Sequence, residues 1–260
     1  MFDVGLLQIE HWVTAFLWPL FRVAAFFMAI PMIGSGLVPP RIRLGLALGV
    51  TLLLLPVLPP MPAFAAFSIE SYLVIAQQIL IGAAMGFMVQ LMLQVFVVGG
   101  QLISTQMGLG FASVSDPVNG VSVVVLSQFY LQLVMLLFLA MNGHLVMIDV
   151  LAQSFERIPV GLTGLGSAMF SEIVSTGGWM FAAALLMALP PVTALLVINF
   201  SFGIITRAAP QLNIFSIGFP FTMLMGLLIA WVSLGGFLGQ YQRIAETALN
   251  AISTTFLGGG

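Results

Sequence analysis

The chain is 260 residues long and 61% hydrophobic but only 5% charged, with eight acids, six arginines, no lysine and a net charge of −2. A soluble domain is about 45–50% apolar and about 25% charged, so this composition excludes a water-coated globule. With no basic patch it also excludes electrostatic nucleic-acid binding, and with no cysteine it excludes disulfides and thiolate chemistry.

Apolar runs of about 20 residues are long enough to cross a bilayer as helices. Hydropathy and proline–glycine punctuation predict an all-α integral membrane protein with six such segments, at 12–33, 44–58, 72–98, 123–150, 178–206 and 212–238. Asp3 and Glu10 precede the first where a positive n-region belongs, so no cleavable signal peptide is expected. Arg22 lies near the middle of that segment and costs roughly 2.5–3.5 kcal/mol if it faces lipid. It is expected to meet a partner, a carbonyl cluster or water, the alternative being a shallow helix from which it snorkels. The second segment is cut short by Pro56, Pro59, Pro60 and Pro62.

Along the third segment and beyond, Gln90, Gln94, Gln101 and Thr105 share one helix face, and Gln128 and Gln132 repeat the spacing on the fourth. A neutral polar stripe either ties helices by hydrogen bonds or lines an aqueous conduit, and the tie is the commoner use. His144, beside Asn142, reads as a packing residue and not a proton shuttle. Pro19, Pro31, Pro190, Pro191 and Pro220 lie within apolar runs and are expected to kink or break them. Asn199-Phe200-Ser201 matches a glycosylation sequon but sits in an apolar run, so it is accidental. After the sixth segment Phe237, Tyr241, Ile244, Ala248 and Ile252 recur at helical spacing opposite Gln240, Gln242, Arg243, Glu246 and Asn250. That face is expected to dock on a neighbouring subunit; the alternative, lying on the membrane surface, is disfavoured by the lack of a rich basic face. Paired glycines at Gly45/Gly49, Gly82/Gly86 and Gly235/Gly239 permit close helix approach, within the chain or between chains. Six alternating spans would put Arg41, Arg43 and Arg207 on one side, which the positive-inside rule makes cytoplasmic.

The most informative stretch lies between the third and fourth segments. Residues 99–120 hold glycines, serines and an Asp-Pro step, which predict a loop, yet keep Met107, Leu109, Phe111 and Val114. An apolar, glycine-jointed loop suits a cavity that it fills and leaves, and equally an ordinary re-entrant or packed loop. Sixteen methionines supply flexible, adaptable side chains, most of them fillers of gaps between helices.

Gln106-Met107-Gly108-Leu109-Gly110-Phe111-Ala112-Ser113, followed after Val114 and Ser115 by Asp116-Pro117-Val118, resembles the signature of the FliR family of flagellar export proteins and their SctT counterparts in virulence type III secretion. Arg22, Ala29-Ile30-Pro31 and Val38-Pro39-Pro40-Arg41-Ile42-Arg43-Leu44 carry the same likeness. The resemblance implies a non-enzymatic, cofactor-free subunit of a protein-export gate, made of kinked hairpins in a helical assembly with FliP and FliQ. It implies a FliP-like part at 1–172, with a channel plug at about 104–122 covering Gln106 to Val118, and a FliQ-like hairpin at 173–260. FlhB and FlhA would be further partners, unfolded flagellar subunits the cargo, and much of the complex would stand above the inner membrane. Two rivals come from the residues alone: a small-molecule transporter with a midplane site, and an intramembrane enzyme. The first is short of buried ionisable groups, and the second lacks any catalytic motif.

Overall fold

A computed structural model describes residues 6–34, 38–62, 68–109, 125–162, 164–209 and 218–258. Every regular element among them is a helix: α1 (Leu6–Ala29), α2 (Pro31–Gly34), α3 (Pro40–Leu54), α4 (Ile69–Gln106), α5 (Val125–Ala140), α6 (Gly143–Arg157), α7 (Ser167–Ala208) and α8 (Phe219–Leu257). The protein is all-α, and among the described residues not every one of the apolar segments is a helix of membrane-spanning length. Three described helices, α4, α7 and α8, are long and apolar enough to cross a membrane, and the bent pair α5–α6 makes a fourth if it counts as one span. The 15 residues of α3 rise only about 22 Å, short of a hydrocarbon core of roughly 30 Å. The arginine-based orientation assumes six crossings, of which the described helices supply three or four of sufficient length.

The breaks differ from expectation for local reasons. At Ile30 the first apolar run bends, and α2 begins on Pro31. A residue before proline avoids helical torsions, while proline suits the first helical position. The loop expected from residue 99 starts later, because α4 runs through Gly99 and Gly100 to Gln106. Those glycines serve close packing: a Cβ on Gly100 would lie 2.9 Å from the Ser127 Cα, and one on Gly99 3.0 Å from the Met187 Sδ. The fourth segment is broken, with α5 and α6 meeting at 68°. There Asn142 adopts φ 57, ψ 25, a left-handed conformation that asparagine tolerates. Its neighbour Gly143 lets the Phe138 ring lie against the backbone, where a Cβ would be 2.5 Å from it.

Conversely, α7 is unbroken for 42 residues despite Pro190 and Pro191. Proline torsions are already helical, so each residue removes one bond of a long ladder. Pro220 falls in the first turn of α8, where its missing N–H would be unpaired anyway. The tail is no separate element, since α8 continues to Leu257. Its apolar face is not free for a neighbour: Phe237, Tyr241, Ile244, Ala248 and Ile252 are buried in this chain, while Gln242, Arg243, Glu246 and Asn250 are exposed.

By internal contacts the chain forms two compact units, Met1–Leu91 with Phe138–Gly177 and Ala248–Gly260, and Met92–Leu137 with Gly178–Thr247. In the first, α1 lies against the N-terminal part of α4 with Val23, Phe26, Ile81 and Met85 buried. Trp18, Val74, Phe155 and Val160 form a further cluster there. In the second, the Tyr130 and Phe237 rings stack at 5.4 Å, and Phe96 lies 5.5 Å from Phe237 and 6.1 Å from Tyr241. The outer faces of α7 and α8 stay apolar: Phe200 is 72% exposed and Trp231 73%.

Candidate gate stem and polar anchor

Of the residues in the FliR-like signature, Gln106, Met107, Gly108 and Leu109 are described. Gly110, Phe111, Ala112, Ser113, Val114, Ser115, Asp116, Pro117 and Val118 lie outside the described residues. The end of α4 forms a Schellman closure. Leu109 N–H donates to the Ser104 carbonyl and Gly108 N–H to that of Thr105, both at 3.1 Å, and Gly108 takes φ 80. Glycine supplies that left-handed torsion without a Cβ penalty. Met107 has no exposed surface. It lies across Gly226 of α8, where a Cβ would come within 2.3–2.8 Å of its Cγ, Sδ and Cε. From α7, Asn199 Nδ2 donates to the Gln106 carbonyl at 3.2 Å, and the Phe202 and Phe221 rings join α7 to α8 at 5.1 Å. Beside this stem an apolar groove of about 310 Å³ is lined by Leu109, Val125, Leu126 and Phe129 and by Leu227, Ala230, Trp231 and Leu234 of α8.

The polar anchor lies in the other unit. Arg22 is completely buried. Its Nε donates to Gln78 Oε1 at 2.8 Å, one terminal nitrogen to the Ser154 carbonyl at 2.9 Å and Oγ at 3.0 Å, and the other to the Ile158 carbonyl at 2.7 Å. The Phe155 ring centroid is 4.0 Å from its Cζ, a cation–π distance. All these partners are neutral and belong to this chain. Two are carbonyls at the C-terminal end of α6, where the helix dipole favours a cation. One turn beyond Gln78, a Cβ on Gly82 would lie 2.1 Å from the Arg22 carbonyl oxygen. On Gly86 it would lie 2.6 Å from the Ala29 Cβ. Gln90 and Gln94, further along α4, are half-buried. Gln101 accepts from Ser127 Oγ at 3.4 Å.

By contrast Gly45, Gly49, Gly235 and Gly239 meet nothing within 4 Å, so the three look-alike glycine pairs have different surroundings. Among the described residues no three of His, Asp and Glu gather as metal ligands, and Asp149 is exposed and accepts from Gln153 at 2.9 Å. The arrangement therefore holds helices and a loop stem in place. Gln78, Ser154, Asn199 and Gly226 did not stand out in the sequence. A glutamine or asparagine inside an apolar run is a usable signal for the first and third, because a buried amide needs partners. Nothing local marks Gly226.

Residues 13–248 match the family described as bacterial export proteins, family 1. The chain is 39% identical over 229 residues to the flagellar biosynthetic protein FliR of Escherichia coli K12, covering 87% of each. It is 30% identical over 257 residues to the protein of that name from Buchnera aphidicola of Acyrthosiphon pisum, covering 99% of each. Against the FliR of Bacillus subtilis 168 it is 29% identical, over 83% of this chain and 84% of that one.

Proposed function

The chain belongs to this family of bacterial export proteins, that of FliR, and on that premise we propose that it is a structural and gating subunit of the flagellar type III export gate in the inner membrane. In this reading it acts without catalysis or cofactor and assembles with FliP and FliQ. FlhB and FlhA are further partners, and unfolded flagellar subunits pass through the assembly. Residues 1–172 take the FliP-like place and 173–260 the FliQ-like place, and the loop at 106–118 plugs the path. The observation that carries the proposal is the family match over residues 13–248. The flagellar names of the relatives favour the flagellar over the virulence gate.

Helix length supports a subunit that is only partly covered by lipid. At 38, 42 and 39 residues, α4, α7 and α8 are about 57, 63 and 59 Å long, nearly twice a hydrocarbon core of about 30 Å. Typical tilts of about 20° do not absorb that difference. Since their outer faces remain apolar, other subunits are the natural cover beyond the bilayer, and part of the assembly would stand on the periplasmic side. The stem geometry supports a plug, because a loop can close a path only if its base is fixed.

Native mass spectrometry of tagged protein from its own host, in mild detergent, is expected to yield one large complex of fixed mass containing several copies of two other small helical proteins. A lone or self-associated chain, under conditions that keep other membrane complexes intact, would overturn the gate assignment. Deleting residues 110–115 is expected to leave that complex intact while the membrane leaks small solutes. An intact, tight complex with unchanged export would remove the plug.

A further inference from the structure

Resting on the reading of the loop as a plug, we propose that Asn199 and Gly226 are its positioning residues: they keep the stem at Gln106–Met107 in one place in the closed and the conducting gate, and movement begins only at Gly108.

The last four carbonyls of a helix have no partner within it. In α4 all four are taken. Met107 N–H donates to Ile103 at 3.0 Å, Leu109 to Ser104 and Gly108 to Thr105 at 3.1 Å, and Asn199 supplies the partner for Gln106. Lifting the stem off α7 would take from the part-buried Gln106 carbonyl the partner that Asn199 supplies, and native structures keep such groups paired. Met107 adds a second restraint. It is wholly buried, and the backbone of α8 can approach it so closely only because residue 226 has no side chain. Beyond these restraints comes Gly108, the sole described glycine with positive φ. Glycine crosses between negative and positive φ at little steric cost, so it is the first joint at which the chain can turn with the Met107 and Gly108 bonds kept, at the loss only of the Leu109 bond to Ser104. Fixed base and free joint are thus adjacent, and Asn199 and Gly226 set where the base lies.

The alternative is a latch, in which Met107 leaves Gly226 when the gate opens. The chain has no cysteine, so a single engineered pair separates the two. Met107→Cys with Gly226→Cys, in the full-length chain of the assembled complex in its host, is expected to cross-link on oxidation, and its oxidised and reduced forms are expected to export at the same rate. Loss of export on oxidation, regained with reductant, would establish the latch and overturn the proposal. Failure of the pair to cross-link would remove the contact on which it stands.

A readout that a merely structural role does not move comes from tightness at constant assembly. Gly226→Leu and Asn199→Leu are expected to assemble at wild-type yield and leak small solutes about tenfold faster, as the closed population falls. Met107→Ala combined with Gly226→Leu, which gives the leucine the space of the methionine, should restore tightness. Full yield with no leak from either single change would refute the positioning role. The deletion of residues 110–115 keeps the two failures apart: a leaking deletion beside tight Gly226→Leu and Asn199→Leu refutes only the positioning residues, whereas a tight deletion refutes the plug itself.

Discussion

Replacing Gly82 and Gly86 together by leucine is expected to leave no detectable export complex and almost no intact chain. Overpacking a core costs about 1–3 kcal/mol when side chains can give way, but here the obstacle is backbone. A Cβ on Gly82 would lie 2.1 Å from the Arg22 carbonyl oxygen and 3.0 Å from the Phe26 nitrogen. Relief requires α1 to move off α4, and that would also pull the Arg22 guanidinium from Gln78, four residues before Gly82. The effect should already be severe in Gly82→Ala, since the first added carbon makes the clash. Gly45→Ala and Gly49→Ala share the motif and should behave in the opposite way. Their positions are open, and alanine is about 0.8–1 kcal/mol better than glycine inside a helix. Immunoblotting of the chain and yield of the purified complex measure both pairs. Normal yield from the Gly82/Gly86 double variant would show that α1 and α4 do not make this contact.

Arg22→Ala is expected to destabilise the chain by several kcal/mol, two orphaned acceptors costing about 1–3 kcal/mol each and the cavity left by the side chain adding to them. Gln78 Oε1 and the Ile158 carbonyl are those acceptors; the Ser154 carbonyl keeps its bond from Ile158 N–H at 2.9 Å. Arg22→Lys should recover little of the loss. An ammonium is a compact point charge and cannot direct donors along the fixed fork that reaches α4 and the end of α6 together. Ser154→Ala removes one of several acceptors and should be mild, at about 0.5–1.5 kcal/mol. Thermal midpoints of the purified complexes rank the three. Equal stability of Arg22→Lys and the parent would show that charge alone suffices. These changes concern the anchor; the solute leak predicted for the stem variants belongs to the other unit, so a leak from Arg22→Lys at full stability is not expected.

The sequence by itself determined the chemical class of the protein. So few charges on so apolar a chain force helices that satisfy their own backbone in lipid or against other subunits, and the family likeness was legible in the run from Gln106 to Val118. It also narrowed Arg22 to acceptors or water at depth or a snorkelling place at an interface, because a buried guanidinium without partners is prohibitive, and marked glycine pairs that allow close approach. Periodicity and propensity are local, however, and several outcomes depend on what lies opposite in space. Gly99 and Gly100 look like a turn, but continue α4 because Met187 and Ser127 press against them. Asn142 and Gly143 divide a run whose hydropathy is continuous. The tail looks available to a partner, yet its apolar face is covered within the chain. Gly82/Gly86, Gly45/Gly49 and Gly235/Gly239 are the same word in sequence, and only the tertiary structure separates a backbone contact from open surface. The same holds for Asn199, which resembles a stray sequon until the carbonyl of Gln106, 93 residues away, is found to be its partner. Long-range pairing places such atoms together, and no local pattern encodes it.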